Sequence, residues 1–202
     1  MKRAPAGLGR PLAAALLGLL AAAATARAAG AEPDAALAAK LAPCAVCHGA
    51  TGNSATPEVP SLAGQPKQFI TTQLVMFREG RRLNPAMNAI TANFSNAEIN
   101  ALGGYYAAQS LVPALPAQDE AQTQAGRART EALNCVQCHG AALKGQQHIP
   151  RLAGQQPAYL RAQLQGFKAQ TRFDMDGNMT SAAQALTGAD IDSLAVYLAA
   201  LR

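Results

Sequence analysis

The 202-residue chain carries 17 Lys and Arg against 12 Asp and Glu, but four of the basic residues (Lys2, Arg3, Arg10 and Arg27) and none of the acidic ones precede Ala29. Beyond that point the balance is 13 to 12, about +1, so the high pI is no argument for a nucleic-acid partner. No Trp and only nine Phe and Tyr are present, thin filling for two hydrophobic cores.

At the N-terminus an apolar run from Leu12 to Ala24 follows the basic residues and leads into Ala26-Arg27-Ala28 and Ala29-Gly30-Ala31. This predicts a cleavable secretory signal over residues 1–28, or up to 31, rather than a lasting membrane span. No second apolar run of 18 residues occurs, so at most peripheral membrane association is expected.

Pro33 to Lys40 reads as a helix start, with Asp34 favourable to the dipole, and leads into Cys44. A Gly- and Pro-bearing loop follows, ending in Pro60-Ser61-Leu62-Ala63-Gly64-Gln65. Phe69, Ile70, Gln73, Leu74 and Phe77 have helical spacing from Pro66 to Glu79, and Gly80 ends that helix. A polar loop is expected to carry Arg81, Arg82, Asn84, Pro85 and Met87. Ser95-Asn96-Ala97-Glu98 is a capping box that opens a last helix through Ile99, Leu102, Tyr105 and Tyr106.

After residues 111–120, which read as a linker with Pro113 and Pro116, the pattern begins again. A helix from Ala121 leads into Cys135; Pro150-Arg151-Leu152-Ala153-Gly154-Gln155 and Tyr159, Leu160, Gln163, Leu164 and Phe167 follow, and Thr187-Gly188-Ala189-Asp190 starts the final helix. The offset is 91 at the cysteines, 90 through the second helix and 92 from Met87/Met179 onward, so insertions fall between helices. The expectation is an all-α fold of two domains related by duplication, over 32–110 and 121–202.

All four cysteines lie in Cys44-Ala45-Val46-Cys47-His48-Gly49 and Cys135-Val136-Gln137-Cys138-His139-Gly140. C-x-x-C-H is the attachment signature of a c-type haem: two thiols one helical turn apart reach neighbouring vinyl groups, and the next residue places an imidazole beneath the iron. A four-Cys zinc site or a pair of redox disulfides would use the same spacing. Neither accounts for a His after the second Cys on both occasions, and no thioredoxin-like βαβ pattern surrounds either stretch.

Two covalently bound haem c groups are therefore expected, which would also fill the two aromatic-poor cores. For the sixth ligand, Met87 lies 39 residues after His48 and Met179 lies 40 after His139. A methionine is more often flexible core filler, but Met76 aligns with Gly166 and Met175 falls in an inserted loop, so only Met87 and Met179 are duplicated. His and Met together close both axial sides of the iron, which points to electron transfer and away from catalysis. His148, opposite Glu58 in the repeat, reads as a loop residue, with bis-His ligation as the minority alternative.

With C-x-x-C-H, P-x-L-A-G-Q, the Q-L-x-x-F helix, an Arg-bearing loop and Met in this order, the whole mature chain resembles the dihaem class I cytochromes c of the cytochrome c4 family. The resemblance implies two tandem class I cytochrome c domains, with the Pro60 and Pro150 carbonyls accepting from the axial histidine rings and the propionates near the domain interface. It sets propionate pairing for Arg82 and Arg172 against a solvated helix end, the reading favoured for Arg78 and Lys168. It also implies a periplasmic electron carrier, not an enzyme, between a quinol-oxidising complex or dehydrogenase and a terminal acceptor such as a haem-copper oxidase. The rivals are the dihaem subunit of a flavocytochrome sulfide dehydrogenase and a dihaem peroxidase, which needs an openable iron.

Overall fold

The computed structural model describes Met1 and residues 33–114 and 119–202. The expected signal segment lies outside the described residues. Helices α1 (Ala35–His48), α2 (Lys67–Arg78), α3 (Pro85–Thr91) and α4 (Asn96–Ala107) form the first half, and α5 (Glu120–Ala132), α6 (Val136–His139), α7 (Pro157–Lys168), α8 (Asn178–Gln184) and α9 (Gly188–Ala200) form the second. Among the described residues the one strand-like feature is an isolated bridge between Gln146 and Ile149.

Each half has a core of its own. Leu41, Ile70, Phe94, Ile99, Leu102 and Tyr106 make the first, where α4 packs on α1 and α2. Leu143, Leu160, Phe167, Leu186, Ile191, Leu194 and Leu198 centre the second, where α9 packs on α5 and α7. In the second half α5 crosses α9 at Gly126, where an added Cβ would lie 2.2 Å from the Ser193 carbonyl oxygen. Only a residue without a side chain permits that approach.

The helix starts follow their capping chemistry. Asp34 accepts the N–H of Leu37, and Ser95/Glu98 and Thr187/Asp190 form complete capping boxes that open α4 and α9. Two departures from expectation concern the ligand segments. Met87 and Met179 sit in seven-residue helices, α3 and α8, rather than in a polar loop. In addition, α1 runs unbroken through Pro43 to His48, whereas the second half stops at Ala132 and restarts as α6. Asn134, the counterpart of Pro43, has φ 50, a left-handed backbone that ends a helix.

The halves are joined face to face. Val112 N–H donates to Asn53 Oδ1 of the first half at 2.7 Å, and Ala114 N–H donates to the Gly154 carbonyl of the second at 3.1 Å. The start of the linker is thus tied to both sides. Across the interface Gln156 Nε2 donates to the Ser54 carbonyl at 2.6 Å and the Tyr159 N–H to that of Pro57 at 3.1 Å.

Candidate functional site: two haem pockets that share an interface

The helical turn of each C-x-x-C-H stretch puts the first thiol half-buried and the second at the surface; Cys44, Cys47, Cys135 and Cys138 are all free thiols. Burial pushes the Cys44 and Cys135 thiols up from their ordinary pKa. Gly49 and Gly140 end these turns at φ 78 and φ 81, and at Gly49 an added Cβ would sit 2.2 Å from the Asn53 carbonyl oxygen. The chain can therefore leave the helix immediately after each histidine.

His48 and His139 are 7% and 4% exposed, and each places Nδ1 2.8 Å from a carbonyl oxygen, that of Pro60 and that of Pro150. A carbonyl only accepts, so the proton is on Nδ1 and the Nε2 lone pair is free for a metal. Burial holds both imidazoles below their ordinary pKa, against the pull of those carbonyls, which keeps them neutral at neutral pH. Each proline is held in place by the segment after it: Gly64 and Gly154 donate to carbonyls of Tyr106 and Leu198 in the last helix of each half.

Also lining the cavity are two methionines, Met87 and Met179, whose backbones are each pinned by an Asx side chain. Asn84 Oδ1 accepts from Met87 N–H at 3.0 Å, and Asp174 Oδ2 accepts from Met179 N–H at 2.8 Å. The Asn84-Pro85 pair was the readable signal for this cap, since Pro is favoured in the first turn after an Asn. Of the rival methionines, Met76 is buried in the first half and Met175 is 61% exposed. His148 pairs with Asp176 at 3.7 Å.

Cys44, Cys47, His48 and Met87 line the same continuous cavity of about 890 Å³ as Cys135, Cys138, His139 and Met179. Arg82 and Arg172 meet between the two sets. Arg82 Nη2 and Arg172 Nη1 donate to the same oxygen, Gln163 Oε1, at 2.9 and 2.5 Å, and Arg82 also donates to Tyr159 Oη at 3.0 Å and to Gln73 Oε1 at 2.5 Å. Each guanidinium lies over a ring of its own half, Arg82 on Phe77 and Arg172 on Phe167. Burial lowers the Arg172 pKa to about 10. Burial would raise the Tyr159 phenol, but the two guanidiniums outweigh it and hold the phenol below its ordinary value.

Among the described residues neither Arg82 nor Arg172 pairs with a carboxylate, and two buried atoms in the cavity wall, Arg172 Nε and Tyr106 Oη, have no hydrogen-bond partner. Two cations that meet on one amide oxygen with no carboxylate in ion-pair contact, beside four free thiols and two neutral imidazoles, fit a pair of haems that bring their own carboxylates. Arg78 and Lys168 do not reach this place. Arg78 donates to Phe94 O and Asn96 Oδ1, and Lys168 to Gln184 O.

Comparison with known proteins agrees with this geometry. The family models "Cytochrome c" and "Cytochrome C oxidase, cbb3-type, subunit III" match residues 123–202 and 30–105. The cytochrome c4 of Pseudomonas aeruginosa is 34% identical over 176 residues, 81% of this chain and 86% of that protein. The chain belongs to the cytochrome c4 family. The crystal structure of reduced recombinant cytochrome c4 from Pseudomonas stutzeri superposes with a TM-score of 0.76 at 27% identity, over 83% of this chain and 97% of that one. A second relative, the thiosulfate dehydrogenase electron acceptor of Thiomonas intermedia, is 35% identical over 95% of this chain and 90% of its own. Like the cytochromes c4 it resembles, the protein is a dihaem electron-transfer protein with two covalently bound haem c groups in two tandem cytochrome c domains.

Proposed function

We propose that the protein is a periplasmic carrier that moves single electrons from a quinol-oxidising complex or dehydrogenase to a terminal acceptor such as a haem-copper oxidase. The observation that carries this reading is the repeated occurrence of a buried, Nδ1-bonded histidine and an Asx-pinned methionine in the lining of one shared cavity. Bound haem supplies a ferric/ferrous couple. Cys44, Cys47, Cys135 and Cys138 would hold the two groups by thioether bonds, and His48, Met87, His139 and Met179 would ligate the irons. Pro60 and Pro150 fix the imidazole planes. Arg82 and Arg172 would neutralise propionates at the interface of the domains over 32–110 and 121–202, joined by the linker over 111–120.

A His and a Met on each iron would leave no position for a substrate, so the chain would relay charge without transforming a molecule. Export under a cleavable signal fits thioether attachment outside the cytoplasm. A redox titration of the mature protein followed optically tests the reading. Two one-electron steps with a ferric thioether band on both haems are expected. A high-spin ferric haem, open as a peroxidase requires, would overturn it.

A second reading has its own support: the chain is the electron acceptor of a sulfur-compound dehydrogenase, a non-catalytic partner as in the flavocytochrome alternative. The relative from Thiomonas intermedia that bears such a name aligns over 95% of this chain. Reduction of the purified protein by a thiosulfate dehydrogenase at rates that a quinol-oxidising complex does not match would favour this reading over the first.

A further inference from the structure

Gln65 and Gln155, the last residues of the repeated P-x-L-A-G-Q segments, are 4% and 3% exposed and reach across the interface. Gln155 Oε1 accepts from Ser61 N–H at 2.7 Å and its Nε2 donates to the Ser61 carbonyl at 2.9 Å. Gln65 does the same to Arg151, with both contacts at 2.9 Å. Ser61 and Arg151 follow the prolines that hold the histidines. The peptide group 60–61 thus accepts from His48 on its oxygen and donates to Gln155 through its nitrogen, and the peptide group 150–151 stands likewise between His139 and Gln65.

We infer that each glutamine tunes the axial histidine of the opposite domain. The inference rests on the reading of His48 and His139 as iron ligands. A peptide is a conjugated unit, so donation from its N–H shifts electron density onto its oxygen and makes that oxygen a stronger acceptor. The histidine Nδ1–H then gives up more of its proton, the ring becomes a more basic ligand, and the ferric state is favoured. Burial removes competing water, so the effect is not diluted. Gln155 belongs to the same six-residue segment as Pro150, and Gln65 to the same segment as Pro60. Each segment therefore holds its own histidine by the first residue and acts on the other domain's histidine by the last.

Mere adhesion between domains would be served by contacts anywhere on the interface. Here each amide oxygen lands on the very peptide group that a histidine already uses, and its Nε2 on the next carbonyl, once in each direction across the interface. The test is the holoprotein with Gln155→Met and, separately, Gln65→Met, which keep the length and remove the acceptor and donor; Gln155→Asn and Gln65→Asn are the second pair, too short to reach. The potential of each haem is read by titration followed through its hyperfine-shifted methyl resonances. At a fixed applied potential, substitution of Gln155 should raise the reduced-to-oxidised ratio of the first haem by about two- to threefold and leave the second unchanged. Substitution of Gln65 should do the converse. A shift in the haem of the substituted domain, an equal shift in both (a loosened interface), or no shift overturns the inference. Absence of nitrogen–sulfur ligated low-spin signals in the unsubstituted protein overturns the ligation reading itself, and the inference with it.

Discussion

Asp174 accepts the backbone N–H of Met179 although five residues separate them, whereas its counterpart Asn84 accepts that of Met87 from three residues away. The two residues inserted in the second half are looped out between Asp174 and Met179, and Gly177 turns the chain at φ 73 to allow it. Asp174 also holds Thr180 through its N–H and its hydroxyl, so one carboxylate receives the first turn of α8.

Asp174→Ala should therefore weaken α8 by about 1 kcal/mol, the usual cost of a lost N-cap, and Asn84→Ala should do the same to α3. The measurement is the temperature at which the ferric thioether band of the affected haem disappears, with the other haem as internal control. Asp174→Asn keeps an acceptor and removes a negative charge one hydrogen bond from Met179. It should raise the potential of the second haem in a redox titration while the band persists.

Met87→Ala and Met179→Ala should each abolish the thioether band of one haem and lower its potential, because a sulfur ligand favours the ferrous state. Met76→Leu and Met175→Leu should leave both bands intact. Optical spectra of the four oxidised variants check this.

The first domain should lose stability in acid through its capping box. Glu98 is held down to about 2 by Lys40 and by the backbone and hydroxyl of Ser95. Its folded pKa lies below the unfolded value, so its contribution is complete above the ordinary carboxylate range and is lost as pH falls through about 2. Glu98→Gln should flatten the acid-unfolding curve of the first domain between pH 4.5 and 2. The second domain, whose Asp190 is likewise depressed by Thr187, should keep its own acid dependence.

Gly126→Ala should destabilise the second domain selectively. The new Cβ meets the Ser193 carbonyl and the Tyr197 Cβ, and neither a backbone carbonyl nor a Cβ fixed to the backbone can yield as a side-chain tip would. A loss of roughly 1–3 kcal/mol is expected from overpacking, read as a lower melting temperature for one of two transitions. Gly140→Ala, with nothing within 4 Å but φ 81, should show backbone strain without a clash and a smaller loss.

Much of this protein is written in short range. The C-x-x-C-H stretches, the duplication, the helices through Phe77 and Phe167 and the capping boxes at Ser95 and Thr187 are patterns of a few residues, whose causes are local bonds and helical periodicity. The helices around Met87 and Met179 give no apolar period to read in seven residues, and only the first has a legible start, in Asn84-Pro85. The break before Cys135 hid in an Asn134 that is left-handed only in the folded chain. Two features belonged to tertiary structure alone: the meeting of Arg82 and Arg172 on Gln163, and the crossing of Gln65 and Gln155. The contacts that cross between domains join residues 77 to 94 apart, which become neighbours only when two separately packed domains dock. Sequence determines what each domain binds; the docking of one domain on the other decides how the two sites sense each other.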